Sequence, residues 1–157
     1  MTPFAIAPED PRSPDVRALL TRHLALMHAQ SAPEDVHALD VEALTAPHVT
    51  FVGARDAADG ALLGVGALAD IGPGHAEIKS MHTAEAARRR GVAAALLAHL
   101  LALADARGRT RVSLETGTQE GFAAARALYE RAGFVPCPPF AGYRPSPASA
   151  FYTRTTG

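Results

Sequence analysis

The stretch Arg88-Arg89-Arg90-Gly91-Val92-Ala93 continues without a break into the alanine- and leucine-rich residues 94–101. The basic cluster and glycine predict a tight turn, and the apolar run predicts a helix over 92–107. The first turn of a helix has unpaired backbone N–H groups and partial positive charge. Gly91 lacks a Cβ and Ala93 has only a methyl group, so a ligand can approach the backbone. The stretch predicts an anion site; a solvated basic surface patch is the alternative.

Two predicted strands flank this helix. Residues 76–82 alternate in polarity before the turn, and residues 111–116 form an apolar-rich strand after the helix. A further helix is predicted from an N-cap at Thr118 to a stop at Gly133. Its last turns contain the string A-L-Y-E-R-A-G-F at 127–134. The anion site is therefore predicted to lie within a strand–turn–helix–strand–helix unit.

These motifs resemble those of the GNAT acetyltransferases. The spacing Arg88-x-x-Gly91-x-Ala93 is similar to the family's (Gln/Arg)-x-x-Gly-x-(Gly/Ala) signature, and residues 127–134 are similar to its A-x-x-L-Y-E-x-x-G-F segment. A branch of small bacterial GNAT proteins shares H-A-L-D, E-x-K-S-M, L-E-T-G and P-F-x-x-Y-x-x-x-P-x-S, found here at 37–40, 77–81, 114–117 and 139–149. The resemblance covers nearly the whole chain.

The predicted fold is one GNAT domain over residues 1–157, of the α/β (α+β) class. Its central sheet is expected to be mixed, mostly antiparallel and flanked by helices, in the order β-α-α-β-β-β-α-β-α-β-β. The first helix is predicted from an N-cap at Ser13 to about Gln30, and a second, shorter helix over residues 31–44. Residues 48–55 and 61–70 predict a hairpin.

Residues 64–69 match a dinucleotide fingerprint, G-x-G-x-x-A, in form only. Such a motif ends a strand and opens a helix, whereas Gly72-Pro73-Gly74 stops this segment almost at once. We interpret the glycines as small residues within a strand.

The bulk composition points to small-molecule partners. The chain is 48% hydrophobic and 20% charged, with a formal net charge of −1, which gives no electrostatic case for nucleic acid or an anionic membrane. The single cysteine, Cys137, indicates a reducing compartment. A secretory leader and a membrane-length apolar run are both missing from the sequence, so a cytoplasmic protein is expected.

Histidines cluster in the predicted first helical region. His23, His28 and His37 lie there with Asp40. His23 and His28 are five residues apart and do not share a helix face as an i, i+4 pair would. We therefore predict no metal site and expect these histidines to line a cleft or to pack.

The resemblance implies acetyl-coenzyme A as donor. Backbone groups of Met81 and Thr83, with His82 between them, would pair with the pantetheine arm, and the amides of residues 88–93 would hold the pyrophosphate. The Met81 N–H would polarise the thioester carbonyl. The hydroxyl of Tyr129, also near the cofactor, would protonate the leaving sulfur.

Two carboxylates compete for the role of general base. Strict alternation along 76–82 puts Glu77, Lys79 and Met81 on one face, close to the predicted phosphate turn. We favour Glu77 as the base, with Glu115 second. The sequence does not separate them.

The resemblance implies an acceptor pocket with two walls. One contains His28 and His37, and the other contains Phe140, Tyr143 and Arg144 of the proline-rich segment. Lys79 or Arg144 would bind a substrate carboxylate, as suits an amino acid or similar small amine.

One departure from the family pattern concerns the cofactor. Many GNAT enzymes have an asparagine near the start of the tyrosine helix, and Phe122 stands at that place. A cofactor contact would then be lost or replaced by packing.

The expected function is N-acetyl transfer from acetyl-CoA to a small-molecule amine. A non-catalytic acetyl-CoA sensing module is the alternative, and a nucleic-acid or protein-interaction domain comes third, disfavoured by the near-neutral charge and single lysine. The acceptor, the acyl-chain preference and the oligomeric state stay open, a homodimer included.

Overall fold

A computed structural model describes residues 3–30 and 41–155, without the side chains of residues 24–30. The strands are β1 (Phe4–Pro8), β2 (Val49–Asp56), β3 (Leu62–Gly72), β4 (His75–Thr83), β5 (Arg111–Gly117), β6 (Val135–Pro136) and β7 (Ser149–Thr155). The helices are α1 (Pro14–Gln30), α2 (Val92–Ala106) and α3 (Ala123–Arg131), and short 3-10 turns span Ala43–Thr45, Glu85–Ala87 and Glu120–Phe122.

The strands form one sheet in the order β1-β2-β3-β4-β5-β7-β6. Neighbours are antiparallel except β4 and β5, which run parallel and are connected through α2. The predicted mixed, mostly antiparallel sheet is confirmed, and so is the order of the elements that the structure describes. The predicted second helix, 31–44, falls largely on residues 31–40, outside the described residues.

Each face of the sheet is covered by helix. On one face, leucines of α2 at 96, 97 and 100 are buried against Ile78 of β4 and Leu114 of β5. On the other face, Val16, Leu19 and Leu20 of α1 pack with Phe51, Val65 and Ala67. Because α1 and α2 cover the two faces of the sheet, we expect charged side chains of the central strands only where neither helix packs on them.

Two glycines of β3 allow α2 and β4 to approach the strand closely. A Cβ on Gly64 would lie 3.0 Å from Val92 Cγ1, and a Cβ on Gly66 would lie 2.8 Å from Met81 Sδ. These residues are inside a strand and open no helix. The interpretation of residues 64–69 as small strand residues is confirmed.

Strand β4 contains a bulge. Lys79 pairs with Ala67 and His82 with Val65, so Ser80 and Met81 together oppose the single residue Gly66. Ser80 has the left-handed φ of 57°. The bulge reverses the alternation, and Met81 packs against the α2 core instead of lying with Glu77 and Lys79. The predicted sharing of a face by these three residues was wrong because it assumed an unbroken strand.

The start of α3 also differs from its prediction. The Glu120–Phe122 turn comes first, and α3 then begins at Ala123 with Phe122 at its N-cap. The Thr118 hydroxyl instead donates to the Pro147 carbonyl, at 2.6 Å. Thr118 therefore holds the proline-rich segment against the end of β5.

Candidate active site

The parallel strands β4 and β5 separate halfway along their length. They pair only from His75 to Ile78 and from Arg111 to Leu114, whereas β4 stays with β3 up to Thr83 and β5 stays with β7 up to Gly117. A cleft that is open to solvent lies at the separation. Its lining residues are His23, Glu77, Ile78, Lys79, Ser80, Met81, Glu115, Thr116, Gly117, Phe122, Ala125, Tyr129 and Tyr143.

Tyr129 lines the cleft from α3. It is 6% exposed, and its ring packs edge-on against Phe134 with the ring centroids 5.9 Å apart. Burial raises the pKa of the Tyr129 phenol to about 12, because a desolvated phenolate is disfavoured. The phenol therefore keeps its proton well above the pH at which an ordinary tyrosine loses it.

Glu77 lies at the floor of the cleft, 3% exposed. The Tyr143 hydroxyl donates to Glu77 Oε2 at 2.5 Å, and Lys79 Nζ lies 3.2 Å from the same oxygen. Lys79 Nζ also donates to the Tyr143 oxygen, at 3.2 Å. Burial raises the pKa of Tyr143, with the nearby Glu77 and Glu115 carboxylates adding to the effect. The charge of Glu77 is thus compensated where water is excluded.

An aromatic cluster holds Tyr143 over the sheet. Its ring lies 5.2 Å from Phe140 and 5.5 Å from Phe151, centroid to centroid, and Phe140 lies 5.9 Å from Phe151. Phe140 supports Tyr143 from behind and does not line the cleft. Arg144 is exposed and lies outside the cleft lining. Of the predicted acceptor residues on this segment, the structure brings Tyr143 to Glu77.

On the opposite wall, His23 of α1 lies against His82 of β4. Their Nδ1 atoms are 3.2 Å apart. Burial lowers the pKa of both imidazoles to about 4, and the charges of His23, Arg22 and Arg88 add to the effect on His82. Both rings are therefore neutral at pH 7, and one donates to the other.

The other predicted histidines cannot be placed beside this pair. The His28 side chain and all of His37 lie outside the described residues.

The predicted anion site is a turn with two left-handed residues, Arg89 at φ 68° and Gly91 at φ 79°. Such alternation directs successive backbone N–H groups towards one point. Gly91 is the N-cap residue of α2, and a Cβ there would meet nothing within 4 Å. The space above the turn is open, and the backbone conformation is what favours glycine.

Side chains anchor this turn from below. Arg90 Nη2 lies 3.2 Å from Asp56 Oδ2 at the end of β2, and Val92 is buried in the core. Arg88 and Arg89 are exposed. Arg90 and Val92 therefore fix the turn, whereas Arg88 and Arg89 are left exposed to solvent.

Phe122 packs on Gly117. A Cβ on Gly117 would lie 2.2 Å from Phe122 Cδ2, so the ring occupies the place of a side chain. Arg126 Nη1 donates to the carbonyls of Gly117 and Gln119, at 2.7 and 2.9 Å. Aromatic packing therefore forms this edge of the cleft, at the position where the resemblance implies a polar contact.

Among the side chains that the structure describes, those of residues 3–23 and 41–155, no three His, Cys, Asp or Glu residues are grouped so as to bind a metal ion. No helix within residues 3–30 and 41–155 has the length and hydropathy to cross a membrane.

Comparison with known proteins identifies the fold around this cleft. The model of the Acetyltransferase (GNAT) family matches residues 16–134. The chain belongs to the GNAT acetyltransferase family. Its match includes the cleft-lining strands, the anion turn and the tyrosine helix, and acetyltransferases of this family use an acyl-CoA donor.

Relatives of this GNAT acetyltransferase include two named as uncharacterized N-acetyltransferases. YedL of Escherichia coli K12 is 46% identical over 152 residues, which are 97% of this chain and 94% of YedL. YsnE of Bacillus subtilis is 47% identical over 93 residues, 59% of this chain and 62% of YsnE. A protein of Azospirillum brasilense named as an IAA acetyltransferase is 37% identical over 93 residues, 59% of this chain and 60% of that protein.

Solved structures show the same fold. One from Klebsiella pneumoniae, named as an acyl-CoA N-acyltransferase, has a TM-score of 0.79 at 28% identity and covers 97% of each chain. A Bacillus subtilis acetyltransferase in complex with CoA has a TM-score of 0.71 at 15% identity, covering 98% of this chain and 99% of that one.

Proposed function

We propose that this GNAT acetyltransferase transfers an acetyl group from acetyl-CoA directly to the amine of a small molecule. One observation above all supports the proposal. The cleft where β4 and β5 separate is lined both by the protonated phenol of Tyr129 and by the buried carboxylate of Glu77. An acid and a base facing one cleft are what direct transfer to an amine needs.

The donor would bind along the anion turn and β4. The pyrophosphate would take the amides of residues 88–93, with the exposed Arg88 and Arg89 adding charge. Beyond Ile78 the edge of β4 no longer pairs with β5, so backbone groups of Met81 and Thr83 can receive the pantetheine arm as an added strand. The Met81 N–H would then polarise the thioester carbonyl.

The acceptor nitrogen would attack the thioester carbon. The new N–C bond forms, the C–S bond breaks, Glu77 takes a proton from the amine, and Tyr129 gives its proton to the leaving thiolate. We favour Glu77 as the base because Tyr143 and Lys79 hold its side chain in position at the floor of the cleft. Glu115 lines the same cleft and stays second.

Free-thiol release from acetyl-CoA, measured with a panel of amines, tests the proposal. Tyr129→Phe removes the acid, and Tyr152→Phe is a matched control because its hydroxyl donates to Glu130 outside the cleft. We expect amine-dependent release that falls in the first variant and persists in the second. Acetyl-CoA binding without release for any amine would favour a sensing module instead.

A further inference from the structure

The proline-rich segment, residues 137–148, is fixed at both of its ends. The Cys137 N–H donates to the Phe151 carbonyl of β7 at 2.9 Å, and the Pro147 carbonyl accepts from the Thr118 hydroxyl at 2.6 Å. Proline also restricts the backbone between these two bonds, because its ring fixes φ. The middle of the segment is therefore held in place beside the cleft.

Aromatic packing places Tyr143, the side chain with which this segment lines the cleft. The Tyr143 ring contacts Phe140 and Phe151, and Phe140 also lies against the His75 ring, with the centroids 6.0 Å apart. Tilted and edge-on contacts of this kind restrict the orientation of a ring as well as burying it. The position of the Tyr143 hydroxyl is thus set by the apolar side chains behind it.

This hydroxyl is the nearest donor to the buried carboxylate of Glu77. The Tyr143 oxygen, Glu77 Oε2 and Lys79 Nζ form a triangle with sides of 2.5, 3.2 and 3.2 Å, and the shortest side joins the hydroxyl to the carboxylate. Burial and the neighbouring carboxylates raise the pKa of Tyr143, so the phenol stays a donor. Without it, Glu77 would be held by the ammonium of Lys79 alone, at the end of a flexible chain.

We propose that Tyr143 is a positioning residue that acts on acetyl transfer through Glu77, and that the proline-rich segment serves to hold its hydroxyl there. This inference rests on the proposed function, in which Glu77 takes the proton of the acceptor amine. It gives Tyr143 a different role from the acceptor contact that the resemblance implies. A general base must lie within hydrogen-bond reach of the proton that it takes, and a small misplacement slows the chemical step.

Thiol release from acetyl-CoA measures this role in the whole chain, with tyramine, histamine, spermidine and glycinamide as acceptors. Tyr143→Phe removes the hydroxyl and keeps the ring in its cluster. With the fastest of the four acceptors, we expect kcat to fall about 10- to 100-fold, the usual effect of losing a hydrogen bond to a charged group. The KM values for acetyl-CoA and for the acceptor should stay within about twofold. Tyr152→Phe, which removes a hydroxyl bonded to Glu130 outside the cleft lining, should leave kcat unchanged.

A double-mutant cycle separates action through Glu77 from a merely structural effect. In the Glu77→Gln background the base is gone, so Tyr143→Phe should lower kcat further by less than about threefold. Phe140→Leu gives a second cycle that does not depend on the residual activity of Glu77→Gln. Phe140 does not line the cleft, so this change should lower kcat in the unsubstituted protein and have no further effect in Tyr143→Phe.

The contrary results are distinct. If Tyr143→Phe leaves kcat unchanged, or raises the KM for the acceptor instead, the positioning role is overturned and N-acetyl transfer is left intact. Losses that multiply in either cycle would show that Tyr143 acts apart from Glu77, or that Phe140 acts apart from Tyr143, and would overturn the role as well. Release with none of the four acceptors, although acetyl-CoA binds, would overturn both the inference and the small-amine function on which it rests.

Discussion

The paired imidazoles of His23 and His82 should make the folded state sensitive to mild acid. In the folded protein their pKa values are lowered from 6.5 to about 4, chiefly by burial. In the unfolded chain each ring titrates near 6.5. Between these values the unfolded chain binds protons that the folded protein does not, so stability is present above pH 6.5 and is lost as the pH falls towards 4.

The size of the loss follows from the two pKa values. Lowering the pH from about 7.5 to about 5 should cost about 2 kcal/mol of unfolding free energy for each ring. Both rings together set an upper limit of about 4 kcal/mol, because they share the single contact between their Nδ1 atoms. That is a large fraction of the roughly 5–15 kcal/mol by which domains are stable.

Urea unfolding at a series of pH values measures this loss. The protein is compared with the double variant His23→Gln/His82→Gln. Carboxylates whose pKa is lowered in the folded state, such as Asp56, also make stability depend on pH, but they do so equally in both proteins and cancel in the difference. We expect the unsubstituted protein to lose about 2–4 kcal/mol more than the variant, at an unchanged dependence on urea. Parallel pH profiles, or ring protons that titrate near 6.5 by NMR, would refute the reasoning.

Four further predictions concern the cleft, the turn and the packing of β3. Tyr129→Phe should lower kcat for thiol release about 10²-fold with the KM for acetyl-CoA unchanged, and an unchanged kcat would remove Tyr129 as the acid. In the unsubstituted protein the pKa of the Tyr129 phenol is raised to about 12. The rate of thiol release should therefore not fall between about pH 9 and 10.5 through deprotonation of Tyr129, although an ordinary phenol with a pKa near 10 would lose its proton in that range. Gly91→Ala should raise the KM for acetyl-CoA. Gly108, at the other end of α2, has a similar φ of 71°, so Gly108→Ala should cause the same backbone strain, about 1 kcal/mol, and leave the KM for acetyl-CoA unchanged. If the two variants have the same KM for acetyl-CoA, the proposal that the turn at Gly91 binds the donor is contradicted. Gly66→Ala should destabilise the fold by about 1–3 kcal/mol in chemical denaturation because the Cβ meets Met81 Sδ, and an unaltered midpoint would contradict that packing.

The sequence predicted the features that depend on neighbouring residues. The turn at Gly91 and the tyrosine helix near 127–134 were accessible because glycine, small residues and helical spacing signal structure locally. The bulge at Ser80 was not, since strict alternation is the default for a strand and nothing in residues 77–81 announces an extra residue. The sequence analysis therefore placed Met81 on the wrong face of β4.

The partners inside the site were also beyond prediction. Arg90 and Asp56 are 34 residues apart, His23 and His82 are 59 apart, and Glu77 and Tyr143 are 66 apart. Their side chains meet because the sheet order brings distant segments together. No local sequence pattern predicts such a contact. Once the topology is known, the hydrogen-bonding and ionisable groups of these residues make them candidates for contacts between distant segments.

The Glu77–Lys79–Tyr143 group is better explained by chemistry than by stability. A buried ion pair loses its hydration, and replacing one with well-packed apolar side chains is often neutral or stabilising. Strand β4 buries apolar side chains at Ala76 and Ile78, on its other face, so the strand accommodates them readily. The charged pair instead lies where β4 leaves β5, in the same cleft as Tyr129. A buried charged group that is costly for stability, placed where two strands separate, is what the proposed proton transfer would require and what a core does not need.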